Sequence, residues 1–140
     1  MTLHLAPVLL RQVLDHCHLE HPLEACGLLP GRDDRPEWHV PMRNVSDHPA
    51  RRFAFDLDEQ LTVWTAMDET GEDPIVVYHS HTATGPEPSG TDRAHFTDPR
   101  IHYVIVSTHD APGEWPRVRS WRYLDGSLVE EPIIATARCG

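Results

Sequence analysis

The chain has 140 residues, a formal net charge of −10, 24% charged and 39% hydrophobic residues, an ordinary composition for one globular domain with a real core. The acidic balance argues against a phosphate-binding, nucleic-acid surface, and no apolar run approaches the roughly 20 residues that cross a bilayer as a helix. Met1 to Pro7 lacks a basic region followed by a long apolar segment, so no signal peptide is read there. Cys17, Cys26 and Cys139 form no CxxC and read as free thiols of a reducing cytoplasm.

In chain order, residues 6–20 carry Leu9, Leu10, Val13, Leu14 and Cys17 at a helical period that suits one buried stripe, closed by Pro22. A short apolar strand over 24–31 follows, then a solvent-facing turn from Arg32 to Pro36. Trp38 to Met42 is expected to pair with that strand as a hairpin. Residues 44–52 are a polar loop, and Phe53 to Phe55 a short extended piece. Asp56 or Asp58 caps a helix in which Leu57, Leu61, Trp64 and Met67 are expected to share a face, with Gly71 as its stop. Residues 75–81 start as a continuous apolar strand, the pattern of a strand covered on both faces. Ser89 to Phe96 is a short helix with Ser89 at its cap, and 101–107 another apolar strand. The Asp125-Gly126 dipeptide marks a hairpin joining 118–124 to 127–129. Helices and strands alternate early and strands cluster late, which predicts a single α/β domain, 1–140, with a mixed sheet.

The most informative segment runs from His79 to Asp92. Side chains in a strand alternate faces, so His79 and His81 point one way and Ser80 the other. Two imidazoles and a carboxylate returned by a Pro/Gly-rich loop make three metal ligands. Three protein ligands with a fourth position open is the pattern of a catalytic zinc site. Of the eleven histidines, His4, His16, His18, His21, His39, His48 and His109 sit beside polar or turn residues and read as surface or capping groups. Trp64, Trp115 and Trp121 read as packing residues. Zinc hydrolysis also needs a proton carrier, and Glu20, Glu24 and Glu87 are available. Glu87, between Pro86 and Pro88, points to solvent; Glu24 leads into a core strand, where a carboxylate needs a partner or a role. Spacing alone leaves the choice open.

His79-Ser80-His81, seven intervening residues and Ser89-Gly90-Thr91-Asp92, with Glu24 upstream, resemble the signature of the JAMM (MPN+) zinc metalloproteases. Similar flanks support the match: Pro22 to Gly31 looks like the family's opening segment, Val76 to His81 like its metal strand, and Trp121 to Gly126 like the terminal hairpin of short stand-alone bacterial members. The resemblance implies a curved mixed sheet flanked by helices, related to the cytidine-deaminase-like fold. It further implies one zinc held by His79, His81 and Asp92, with water as fourth ligand. Glu24 would be the general base and acid, and Ser89 the residue that helps stabilise the oxyanion. The implied substrate is the bond after the C-terminal Gly of a ubiquitin-like protein. Because only seven residues separate His81 from Ser89, the bacterial sulfur-carrier type fits better than a deubiquitinase with long insertions. The competing readings are a non-catalytic scaffold of the same fold and a cell-wall or phage-tail peptidase related to the family.

Overall fold

The apolar run that ends in His79 lies at the centre of a seven-stranded mixed sheet. The computed structural model describes residues 1–109 and 117–136; Trp115 and Cys139, read above as a packing residue and a free thiol, lie outside the described residues. The elements are β1 (Leu3–Leu5), α1 (Pro7–Glu20), β2 (Cys26–Arg32), β3 (Arg35–Pro36), β4 (Val40–Met42), α2 (Leu57–Thr70), β5 (Asp73–His81), α3 (Gly90–His95), β6 (His102–Ser107), β7 (Arg117–Leu124), β8 (Ser127–Glu131) and β9 (Ile133–Ala135). The sheet runs β3-β2-β5-β6-β7-β8, with β4 also paired to β2. Only β5 and β6 pair in parallel within it; the other pairs are antiparallel.

As a strand covered on both faces must, β5 divides two cores. One holds Tyr78 and Val76 with the α1 stripe of Leu9, Val13 and Cys17. The other holds Val77 with Met67, Phe96, Tyr103 and Trp121. The α1 stripe, with Leu10 and Leu14 half-buried beside it, follows the sequence pattern, as do Asp56 capping α2 through Glu59 N–H at 3.0 Å and Gly71 ending it at φ 70°. The Asp125-Gly126 turn has both residues at positive φ, the geometry that favours a tight hairpin.

Three expectations are corrected. Leu57 and Leu61 are 79% and 68% exposed while Met67 is buried. At the α-helical 3.6 residues per turn, Leu61 points about 120° away from Met67, and burial follows Val63, Trp64 and Met67 instead. Glu24 precedes β2 and is not part of it. His16 and His39 are not surface groups, since each places a ring nitrogen 2.6 Å from the Tyr78 hydroxyl. One pair was not foreseen: β1 pairs in parallel with β9, joining the two ends of the chain over the α1 side of the core.

Gly27 lies opposite Tyr78 across the β2–β5 ladder. A Cβ there would sit 2.5–2.6 Å from the Tyr78 ring and hydroxyl. Tyr78 is fully buried and held by the two histidines, so the ring cannot swing aside. Gly27→Ala should therefore destabilise the protein by about 1–3 kcal/mol, the scale of overpacking, measurable by denaturant unfolding; an unchanged midpoint would contradict the packing described.

Candidate metal centre

The site lies at the C-terminal end of β5, beside the end of β6, where open sheets with parallel strands present their ligands. His79 and His81 share the face of Val77, and Ser80 faces the other way. His79 Nε2 and His81 Nε2 are 3.0 Å apart, and lie 3.2 and 3.0 Å from Asp92 Oδ2. All three residues are buried.

Asp92 is aimed by the start of α3. Ser89 Oγ accepts from Asp92 N–H at 3.0 Å, and Ser89 N–H donates to Asp92 Oδ2 at 3.0 Å, a reciprocal capping box. Ser89 therefore caps the helix through its lone pairs and retains a hydroxyl proton to donate elsewhere. Both roles expected of it are compatible.

The donor set fits a divalent ion. His81 Nδ1–H donates to the Gly85 carbonyl at 2.8 Å, which leaves a lone pair on Nε2 of the neutral ring, the usual arrangement of a ligating histidine. Two imidazole nitrogens and a carboxylate oxygen facing one another cannot all be joined by hydrogen bonds. Their spacings are instead close to the edges, about 3.3 Å, of a tetrahedron around a zinc ion with bonds of about 2.0 Å.

Glu24 approaches from β2's side. The antiparallel register that sets Cys26 opposite His79 carries Glu24 opposite His81 two residues on. Ser80, on the back face, fixes this join: its Oγ accepts from Ala25 N–H at 2.8 Å and its N–H donates to the Ala25 carbonyl at 3.0 Å. Glu24, His81, Ser89 and Asp92 line one pocket of about 640 Å³. Of the other acids weighed, Glu20 pairs with His16 and Glu87 is exposed opposite Arg119; neither lines that pocket.

Sequence reasoning missed the residues that support these groups. Asn44 donates to the carbonyls of Glu24 (3.0 Å), Pro49 (3.3 Å) and Arg52 (2.9 Å), and accepts from the Ser46 and Ala54 amides. Phe53 stacks on His79 at 4.6 Å, with Phe96 edge-on at 5.4 Å. Trp121 Nε1–H donates to the Pro86 carbonyl at 3.1 Å, and Ser107 Oγ–H to the Thr84 carbonyl at 2.6 Å, anchoring the loop between His81 and Ser89. Only Asn44, an Asn opening a polar loop, carried a local signal.

The family described as prokaryotic homologs of the JAB domain matches residues 6–124. A CysO-cysteine peptidase of Mycobacterium tuberculosis is 46% identical over 127 residues, 89% of this chain and 85% of that protein. A desampylase of Haloferax volcanii is 34% identical over 88 residues, 61% of this chain and 63% of that protein. Among solved structures, a Desulfitobacterium hafniense protein superposes with a TM-score of 0.82 at 32% identity, covering 99% of this chain and 94% of that one. A JAB1/MPN domain protein of Archaeoglobus fulgidus, 21% identical, has the same fold at a TM-score of 0.62, covering 94% and 98%.

Electrostatics set each group's protonation. Burial lowers the pKa of His79 against the pull of Asp92, keeping the ring neutral. For His81 burial is outweighed by hydrogen bonds to Asp92 and Gly85, and its pKa rises. Asp92 is buried too, yet the hydrogen bonds of both histidines hold it well below the usual carboxylate range. Burial pushes Glu24 up from 4.5 to about 7, with His81 opposing and Asp92 assisting. A carboxyl raised on folding contributes stability that is fully present below its unfolded value and is lost as pH rises through the folded one. In metal-free protein, Glu24→Gln should thus raise the melting temperature more at about pH 8 than at about pH 5. A difference independent of pH would show that Glu24 is not desolvated.

Proposed function

Because this chain belongs to the prokaryotic JAB-domain family, the JAMM metalloproteases, we propose that it is a zinc-dependent peptidase. It removes what is joined to the C-terminal Gly of a sulfur-carrier or ubiquitin-like protein, and residues 1–140 act as one JAMM domain. The observation that carries this reading is the convergence of His79, His81 and Asp92 on one point, with Glu24 and Ser89 lining the same pocket. Two relatives support it by name, one a CysO-cysteine peptidase and one a desampylase.

In this reading His79 Nε2, His81 Nε2 and Asp92 Oδ2 hold the zinc. When bound, zinc supplies Lewis acidity and lowers the pKa of water towards 7. Glu24 orients the attacking water, takes its proton and delivers it to the departing amine. The Ser89 hydroxyl donates to the oxygen of the scissile carbonyl as charge builds there. Phe53 and Phe96 pack the His79 ring against rotation, and the Gly85 carbonyl fixes the His81 tautomer. The enzyme belongs to the cytoplasm in this account. No described helix is long and apolar enough to cross a membrane, and Cys17 and Cys26 are buried free thiols, as a reducing compartment favours.

Purified protein should carry about one zinc. His79→Ala or Asp92→Ala should lose it, and Glu24→Gln should keep it while losing at least about 10²-fold in rate. The direct assay incubates a sulfur carrier bearing one extra C-terminal residue with the protein and reads intact mass. Chelator-sensitive loss of that residue is expected, and its absence would favour a non-catalytic scaffold. Full zinc occupancy in Asp92→Ala would overturn the ligand assignment.

A further inference from the structure

The pocket contains two cations that the hydrolytic chemistry does not use. Arg51 and Arg52 line the same cavity as Glu24, His81 and Asp92. The chain has 22 acidic residues, and Arg11, Arg32, Arg100 and Arg119 all lie against carboxylates. Among the described residues, no ion pair or side-chain hydrogen bond engages Arg51 or Arg52.

Their backbone is nevertheless tightly placed. Both amides donate to the His48 carbonyl at 2.9 Å. Asn44, which also holds the Glu24 carbonyl, holds that of Arg52. Thr82 Oγ1–H, just after the metal strand, donates to the Ala50 carbonyl at 3.0 Å. The arginines are thus carried by a loop fixed to both sides of the site, with their side chains unengaged by any described residue.

The charge of the pocket points the same way. Glu24 and Asp92 together offset a divalent ion, so among the described lining residues, where His81 and His95 are the other titratable groups, the two guanidiniums set the sign of the charge. A guanidinium pair at such a place matches a carboxylate, the group it binds in two-pronged fashion.

We propose that Arg51 and Arg52 receive the free α-carboxylate of the residue released, so that the preferred substrate is a carrier tail extended by a single C-terminal amino acid. This rests on the peptidase reading above. Hydrolysis there adds the elements of water across the amide, hydroxyl to the Gly carbonyl carbon and a proton to the leaving nitrogen, and frees an amino acid whose carboxylate lies two bonds from that nitrogen. An isopeptide-linked lysine presents no such charge, because its own carbonyl is part of a chain.

The test compares a carrier extended by one residue as the free acid with the same carrier ending in a carboxamide, using zinc-loaded protein. The acid should be favoured in kcat/KM by about 10- to 100-fold, the scale of a charge-assisted pair, and that ratio should fall close to one in the R51Q/R52Q variant. A native ratio near one overturns the assignment whatever the variant does, and so does a ratio that the variant leaves intact. Failure to cleave either substrate overturns the peptidase reading itself, a separate outcome.

Discussion

One carboxylate oxygen, Asp92 Oδ2, is where the two halves of the site meet. It accepts the Ser89 amide at 3.0 Å and faces both histidine nitrogens. The helix start that supplies this geometry is short, and the capping box compensates by satisfying end groups that a six-residue helix cannot satisfy internally. The same hydrogen bonds that stabilise the helix terminus fix the rotamer of a ligand. Stability and site geometry are coupled at this point, so Ser89 cannot be altered without disturbing both.

The histidines are fixed from the other side by β5. Its alternation places Tyr78 and Ser80 in contact with the α1 layer and the β2 approach, while His81 lines the pocket and His79, on the same face, lies behind it against Phe53 and Phe96. Tyr78 is clamped by His16 and His39, Gly27 makes room for its ring, and Ser80 ties down Ala25. Side chains that never reach the cavity therefore set the position of those that do. At the far end of the sheet another buried polar group closes the structure: His102 lies between Glu131 at 2.6 Å and Asp34 at 2.7 Å, with Arg122 beside its ring. The buried Glu131 carboxylate is tolerated there because one of its oxygens is held by both His102 and Ser120.

The metal set was legible in the sequence because its signals are local. Strand alternation puts His79 and His81 on one face, and a Ser three residues before Asp92 is a cap. The position of Glu24 opposite His81 depends on a long-range register that residue patterns do not encode; its place before a core strand made it a candidate, and the resemblance to a family selected it. Asn44, Phe53 and Trp121 reach the site across distant sequence, as β1 reaches β9, and no periodicity announces such contacts. The reading of α2 failed on phase: Leu57 and Leu61 look like a core stripe by spacing, yet the cap at Asp56 and the packing of Met67 set a different face inward. His16, His39 and His102 are covered by groups 29 to 68 residues away in sequence, and burial of a histidine is decided by what folds over it.

The proposed chemistry depends on two imidazole nitrogens and one carboxylate oxygen converging to hold a zinc ion, a donor set with no sulfur although Cys26 pairs across the sheet with His79. X-ray absorption at the zinc edge of the purified protein measures that set directly. A light-atom shell at about 2.0–2.1 Å with the outer-shell signature of two imidazoles, unchanged in Cys26→Ser, is the expected result. A sulfur shell at about 2.3 Å, or a spectrum lacking the imidazole signature, would contradict it.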